Sequence, residues 1–239
     1  MIDVVIYALL TAHITKAFVS LYLHRYLTHN HFTINTSFSN IIRFYLWLTD
    51  GVIAKPWVAQ HRKHHKYTDV QGDPHSPYIH GKWKITWTCM VPNFIRLYEY
   101  NDTDWALEHY GKGTPEDWME KNVYEKHPRL GLLIFLTFNI CVFGLIPGFL
   151  AWLFHLFFVP FCTTACISSF AHWFGYRHPD SKDESRNLWP IGIILCGDEL
   201  HNNHHMKPSN PNFAHRWFEF DLAYWYARIL SKFGLIKFK

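Results

Sequence analysis

The sequence is poor in cysteine, and its few thiols show none of the spacings that predict a disulfide framework or a thiolate metal site. The five cysteines are Cys89, Cys141, Cys162, Cys166 and Cys196, and no two of them form a CxxC pair. Unpaired thiols in a reducing compartment are the simplest interpretation.

Basic runs and low-complexity segments are also absent. The 23 lysines and arginines against 19 acidic residues give a net charge of +4, which is too small and too dispersed to predict a nucleic-acid partner. Apolar residues make up 49% and aromatic residues 18%, which excludes disordered and collagen-like classes. No repeat or linker divides the 239 residues, so we expect a single domain over residues 1–239.

Two apolar regions predict membrane spans. Residues 2–23 would form a helix of about 33 Å, which is long enough to cross a bilayer. A signal peptide is excluded, because an acid and no basic residue precedes the apolar run. The second region is uncharged and too long for one span, so its break at Pro147-Gly148 predicts a hairpin of spans 130–148 and 149–171.

A third segment, residues 37–54, has helical apolar spacing but contains Arg43 and Asp50. A charge in the middle of a bilayer costs about 2.5–3.5 kcal/mol on insertion scales, so we expect an amphipathic helix in the interface. Histidine clusters precede and follow this segment, and they can share one site only if it does not cross. Three spans then place every cluster on one face, which the distribution of lysine and arginine predicts to be cytoplasmic.

Histidine is the residue in excess, with 18 copies. Three clusters read HRYLTH, HRKHH and HNNHH, and on a helix with about 100° per residue an HxxHH set shares one face. The HxxxxH pair would lie about 140° apart, which predicts its first histidine in the last turn of the first span and its second just beyond the helix end. The clustered residues are His24, His29, His61, His64, His65, His201, His204 and His205.

So many imidazoles predict a dinuclear metal site. A structural zinc needs four ligands, whereas eight suit two metals of higher coordination number. Imidazole binds zinc, copper, iron and nickel, so ligand type alone does not name the metal. A solvated helix face would explain one HxxHH, but not three clusters on one membrane face. We expect four acids to accept hydrogen bonds from the outer N–H groups. They are Asp69, Asp73, Asp198 and Glu199.

The segments HRYLTH, HRKHHKYTDVQGDPH and GDELHNNHH resemble the three histidine boxes of membrane fatty acid desaturases of the acyl-CoA desaturase type. Box order, spacing and the hairpin between the second and third boxes all agree, and the C-terminal stretch is similar to that of bacterial members. The expected fold is all-α and integral to the membrane, with three transmembrane helices, an interfacial helix and a cytoplasmic cap carrying the boxes. The membrane would be the bacterial inner membrane, or the endoplasmic reticulum in a eukaryote.

The resemblance implies a ninth ligand, His172, at the end of the last span. On the alternative interpretation it is an aromatic neighbour at the interface. The family usually has Asn four residues earlier, contacting a metal through water, and this chain has Ser168 there, whose hydroxyl can also hold a water. Members also commonly carry a further span ahead of the first box. Its absence here would fit either a truncated chain or a shorter member.

The implied reaction is oxygen-dependent insertion of a cis double bond, by family default at delta-9, into a saturated fatty acyl chain. Two iron ions are the implied cofactor and O₂ the co-substrate, since an unactivated C–H bond offers no acid–base handle. The substrate would be an acyl-CoA or the acyl chain of a phospholipid in the membrane lipid. The chain has no haem, flavin or iron–sulfur motif, so a ferredoxin or b-type cytochrome with its reductase is expected as electron donor.

Two other functions remain open from the residues. A membrane di-iron hydroxylase of a lipid, sterol or carotenoid would share the boxes, although HxxxxH rather than HxxxH in the first box favours a desaturase. A non-enzymatic metal-binding or transport protein should show ionisable residues recurring through several spans. The hairpin offers little beyond His155 and two cysteines.

The first span also carries polar residues on one helical stripe. His13, Lys16, Ser20 and His24 recur at offsets of 3, 7 and 11. Ionisable groups inside a membrane are candidates for function. An inward packing stripe, with Lys16 hydrogen-bonded to backbone, is an equally good interpretation.

Three cations adjoin predicted ligands: Arg25, Arg62 and Lys66. They would attract an acidic headgroup, a coenzyme or an electron donor. Ordinary anchoring at the cytoplasmic face explains them equally well.

Overall fold

The computed structural model describes residues 1–90 and 104–239, and the side chains of residues 88–90 and 104, including Cys89, lie outside the description. Helices dominate this part of the chain, as predicted. They are α1 (Ile2–Thr28), α2 (Thr36–Asp50), α3 (Ala54–Tyr67), α4 (Pro77–His80), α5 (Lys82–Met90), α6 (Asp104–Tyr110), α7 (Pro128–Phe143), α8 (Leu145–His172), α9 (His201–Met206) and α10 (Leu222–Lys232), with a π-helical turn at Glu120–Tyr124.

The first helix changes type along its length. It is α-helical over Ile2–Phe18 and π-helical over Val19–Thr28, where backbone N–H groups reach the carbonyl five residues back. Its first half exposes an apolar face that includes Leu9 and Leu10, whereas small residues such as Ala12 are buried against the rest of the molecule. An exposed apolar face of this kind is suited to lipid.

Helices α7 and α8 form the predicted hairpin, but the turn lies at Gly144 and not at Pro147-Gly148, so the predicted boundary between spans was wrong. Gly144 has φ of 84°, which a residue with a Cβ rarely adopts. Pro147 instead sits in the first turn of α8, where its missing N–H leaves no hydrogen bond unmade. Gly148 lets the two helices cross closely, because a Cβ there would lie 2.4 Å from the Asn139 carbonyl oxygen.

Two of the described helices are long and apolar enough to cross a membrane, namely α1 and α8. Helix α7 has 16 residues, which corresponds to about 24 Å and is short for a full crossing. A third span made by α7 therefore stays a prediction.

Helix α2 covers most of the predicted interfacial segment but ends at Asp50, because Gly51 adopts a left-handed conformation with φ of 62°. Its Arg43 points into the protein, where the guanidinium makes two hydrogen bonds to Asp117 at 2.6 and 2.9 Å. This pairing accounts for the buried positive charge on α2. The position of α2 in the membrane interface stays a prediction.

In residues 1–90 and 104–239, four short strands accompany the helices, which the all-α prediction did not include. Strand β1 (Phe32–Ile34) pairs antiparallel with β4 (Ile236–Phe238), and β2 (Ile191–Gly192) pairs parallel with β3 (Phe220–Asp221). Strands of two or three residues are too short to show an alternating apolar pattern in a sequence. These pairings join β4 to the loop that follows α1, and β3 to the loop that follows α8.

Candidate metal centre

The first histidine cluster is positioned by the π-helical half of α1. The helix ends at Thr28 and His29 is its C-cap, so His24 lies in the last turn and His29 just beyond the helix end, as predicted, although the helix runs to Thr28 and not to residue 23. The His29 N–H donates to the His24 carbonyl, five residues back, at 3.2 Å. Residues five apart are thus stacked, and the two rings lie with centroids 5.0 Å apart instead of diverging by about 140°.

The second and third clusters lie on α3 and α9. Helix α9 has only six residues and is held by the asparagines between its histidines. The Asn203 amide donates to Glu219 at 2.7 Å and to the Phe213 carbonyl at 2.8 Å, and the Asn202 amide donates to Ser185 at 3.0 Å. Sequence reasoning missed these two asparagines, although their burial between histidines is what fixes the cluster.

The structure brings all nine predicted histidines together in two neighbouring groups. In each group the candidate ligand nitrogens lie within 4.8 Å of one another. The five-histidine group is His24, His29, His61, His65 and His204, and the four-histidine group is His64, His172, His201 and His205.

Three of the four predicted acids contact these histidines through the ring nitrogen Nδ1. The Nδ1–H group donates to a buried carboxylate in each pair, which leaves Nε2 to face the cluster. The pairs are His172 with Asp69 at 2.9 Å, His64 with Asp73 at 2.9 Å and His24 with Asp198 at 3.1 Å.

The fourth predicted acid has a different role. Glu199 accepts a hydrogen bond from the Leu195 N–H at 2.6 Å and contacts no histidine among the hydrogen bonds described, because it lies one residue from Asp198 and points away. Burial raises the pKa of Glu199 to about 7.

Sequence reasoning missed a further acid, Asp183, which accepts from His205 Nδ1 at 3.2 Å. Burial raises its pKa, but hydrogen bonds from His205 and Ser185 outweigh burial and hold the pKa well below its ordinary value. Asp183 stands in a polar segment 22 residues before its partner, and no local spacing indicates the contact.

His75 also adjoins the groups. Its ring stacks on that of His64 with centroids 4.3 Å apart, and His64, Asp73 and His75 place candidate ligand atoms within 4.8 Å of one another. His75 belongs to none of the three histidine clusters, and the sequence leaves its role open.

Several of the clustered imidazoles favour the neutral form. Burial, and then repulsion between neighbouring rings, holds the pKa of several of them well below the ordinary value of 6.5. A neutral imidazole is the form that binds a metal. The affected residues are His29, His61, His64, His65, His201 and His204.

One pair shows that the groups fit a cation. His64 and His205 each give the Nδ1–H to a carboxylate, so each Nε2 carries a lone pair and no hydrogen. These two Nε2 atoms face each other at 3.3 Å. Two facing lone pairs repel each other. A cation bound by both nitrogen atoms would remove this repulsion.

Ser168 lies in a further π-helical segment, Phe161–Ser169, and no hydrogen bond described in the structure joins its hydroxyl to the histidines. The helix changes from π to 3₁₀ type between Ser168 and His172, so a spacing of four residues does not keep one face here. The adjacent Ser169 is buried and contacts Thr86 Oγ1 at 2.7 Å. A water-mediated contact of Ser168 with a metal stays a prediction.

The cations beside the ligands have mostly structural roles. Arg25 is buried and its guanidinium donates to Asp221 at 2.9 Å. Arg62 donates to the Leu27 and Thr28 carbonyls at 2.5 and 3.2 Å, which ties α3 to the end of α1. Of the three, Lys66 alone is exposed, so it alone fits the expected attraction of an acidic partner.

Comparison with known proteins adds a family to this geometry. A sequence profile described as "Fatty acid desaturase" matches residues 3–235. The chain is 31% identical over 229 residues to a hex-5-enoyl-[acyl-carrier protein] acetylenase of Moorena producens, which covers 91% of this chain and 71% of the relative.

Two further relatives carry delta-9 or 9-desaturase names. The chain is 32% identical over 184 residues to delta-9 acyl-lipid desaturase 1 of Arabidopsis thaliana, covering 75% of this chain and 56% of that one. It is 31% identical over 221 residues to an sn-2 palmitoyl-lipid 9-desaturase of Nostoc, covering 90% and 73%. In each case the relative is longer than the region matched.

Proposed function

The chain belongs to the fatty acid desaturase family, and we propose that it inserts a cis double bond at position 9 of a saturated fatty acyl chain. Two hydrogens leave adjacent carbons of the acyl chain. One O₂ takes them up, together with two electrons and two protons from a donor, and is reduced to two molecules of water.

The observation that carries this proposal is the facing pair of His64 and His205, with lone pairs 3.3 Å apart and both Nδ1–H groups committed to carboxylates. We assign one iron ion to the four-histidine group and one to the five-histidine group. When bound, the iron pair would supply the dioxygen chemistry that removes hydrogen from an unactivated C–H bond. Imidazole is a suitable ligand for iron.

The residues of the chain prepare this site. Asp69, Asp73 and Asp183 each accept a hydrogen bond from a histidine Nδ1–H. Each of these histidines therefore has an unprotonated Nε2, whose lone pair would bind the metal. Burial of His64, His172 and His204, each fully inaccessible to solvent, keeps bulk water from the reacting centre.

We propose an integral membrane protein of three spans with this centre on the cytoplasmic face. Thr15 of α1 contacts His155 of α8 at 3.3 Å, and the histidines follow at the C-terminal ends of both helices. Both long apolar helices therefore carry their ligands to the same side, and the positive-inside rule makes that side cytoplasmic.

Expression in a cell that lacks desaturases, followed by fatty-acid profiling with double-bond location, tests the reaction. A ferredoxin and its reductase would be supplied alongside, with a b-type cytochrome as the alternative donor. The His64→Ala variant is the matched inactive control. We expect a product that has lost two hydrogens between carbons 9 and 10.

Other products would assign other functions. A gain of one oxygen in place of the loss of two hydrogens would make the enzyme a hydroxylase. A protein that binds metal but consumes no O₂ under reducing conditions would be a metal-binding protein and not an enzyme. Supplying acyl-CoA, acyl-[acyl-carrier protein] and phospholipid substrates separately identifies the acyl carrier, since relatives carry both acyl-lipid and acyl-carrier-protein names.

A further inference from the structure

A lysine lies in the middle of the first apolar helix and is almost completely buried. Lys16 is 2% exposed, and its ammonium group lies 2.5 Å from Asp198 Oδ2. The interpretation in which Lys16 bonds to backbone was wrong, because the third histidine box brings a carboxylate to it. A buried charge pair is retained only when its geometry and surrounding hydrogen bonds offset the loss of water.

Asp198 receives donors on both oxygens. Lys16 bonds to Oδ2, whereas Oδ1 accepts from Ser20 at 2.9 Å, from His24 Nδ1 at 3.1 Å and from Arg25 at 3.2 Å. The polar stripe of α1 therefore converges on one carboxylate, apart from His13, which contacts Tyr226 at 2.9 Å instead.

The charges of this network cancel. Lys16 and Arg25 supply two positive charges, and Asp198 and Asp221 supply two negative charges, all with side chains no more than 5% exposed. Arg25 also bonds to Asp221 through both carboxylate oxygens at 3.1 and 2.9 Å. Removal of Lys16 leaves one uncompensated negative charge and one free oxygen directly beside His24.

We propose that Lys16 is a positioning residue of the metal centre, acting through Asp198 on His24. By holding Oδ2, Lys16 fixes the plane of the carboxylate so that Oδ1 receives the His24 Nδ1–H. The His24 ring is thereby oriented with Nε2 toward the five-histidine group, 3.0 Å from His204 Nε2. This inference rests on the proposed metal centre and names a residue outside the histidine boxes.

The test is Co²⁺ binding to the purified full-length protein, followed by the visible spectrum, which requires no turnover. We expect wild type to bind Co²⁺ in two events. In Lys16→Met the event of the five-histidine group weakens about tenfold, and the other event is unchanged. Lys16→Arg, which keeps the charge, recovers most of the affinity. The control is Thr15→Val, a buried polar residue of the same helix that does not contact Asp198, and both events persist in it.

A double-mutant cycle separates action through Asp198 from a general packing role. In an Asp198→Asn background we expect Lys16→Met to change Co²⁺ affinity by less than about twofold, because the intermediary is already gone. The Lys16→Met/Asp198→Asn protein removes both charges of the pair and Lys16→Arg keeps both, so these two proteins carry the comparison if a single variant fails to fold: the event of the five-histidine group should weaken about tenfold in the first and stay near wild type in the second. A full tenfold loss in that background, or equal weakening of both events, overturns the inference. A wild-type protein that binds no Co²⁺ overturns the proposed function itself.

Discussion

The two histidine groups differ in the carboxylates that hold them. In the four-histidine group, three of the four rings give their Nδ1–H to an aspartate, and only His201 Nδ1 is buried without a partner. In the five-histidine group, within the described part of the chain, His24 alone bonds to a carboxylate, Asp198. His204 Nδ1 is buried without a partner.

This difference predicts two unequal metal sites. Carboxylate partners fix ring orientation and raise the basicity of the ligating nitrogen, so the four-histidine group should bind its metal more tightly. The five-histidine group has one more ligand but depends on a single charge network through Asp198.

Removing one ligand from each group is the strongest way to break the comparison. His64→Ala in the four-histidine group and His204→Ala in the five-histidine group should each abolish desaturation, because the reaction needs both metals. Fatty-acid profiling measures the activity, and membrane fractionation should show normal insertion. An active His204→Ala protein would refute the metal assignment of that group.

Removing a carboxylate that holds a histidine should have an effect of intermediate size on metal binding. Asp73→Asn should weaken metal binding by the four-histidine group about 10- to 100-fold. Chelator competition followed by metal analysis measures this, and wild type should lose its first metal from the five-histidine group. Asp180→Asn is the matched control, since that side chain is 83% exposed and contacts no clustered histidine. Equal losses in both aspartate variants would contradict the role given to Asp73.

A buried carboxyl group outside both histidine groups should make the stability of the fold depend on pH. Burial raises the pKa of Glu120 to about 7 and outweighs Arg43, whose charge is already paired with Asp117. The folded pKa lies above the ordinary 4.5, so folding retains a proton that the unfolded chain releases. Stability should therefore fall as pH rises from about 4.5 to about 7, by at most about 1.4 kcal/mol per pH unit.

Glu120→Gln should flatten that fall, as measured by the thermal unfolding midpoint between pH 4.5 and 8. Glu116→Gln is the control, because Glu116 is an exposed neighbour with a side chain 59% exposed. An identical pH profile in wild type and Glu120→Gln would contradict the protonated state of Glu120.

The smallest effect is expected at Ser168. Ser168→Asn restores the residue that the family usually has, and desaturation should stay within about threefold of wild type, since an amide also holds a water. Product yield per unit of protein measures this. Complete loss of activity would mean that the Ser168 hydroxyl has a contact of its own.

The sequence predicted the histidine clusters, the two long apolar helices and the hairpin, because each depends on spacing or hydropathy within one segment. It did not predict two local backbone conformations, a π-helix and a turn. The π-helical half of α1 brings His29 over His24, and Gly144 takes the turn expected at Pro147. The role of the nine histidines as metal ligands stays a prediction.

Contacts between segments far apart in the chain could also not be predicted from the sequence. Asp183 meets His205 across 22 residues, and Lys16 meets Asp198 across 182. No local pattern encodes such pairs, since each depends on where a loop returns to a helix. By contrast, Asp69 and Asp73 lie just beyond the second box, and their proximity to it was enough to single them out.

Helix α1 changes from α-helix to π-helix between its lipid-facing half and the half that carries His24. Deleting a single residue between Val19 and Leu23 would leave the lipid-facing half in register. Beyond the deletion, His24 would turn by the rotation of one residue relative to that half, away from Asp198. The length of Val19–Thr28 therefore sets the bearing of His24, as the length of Phe161–Ser169 sets that of His172.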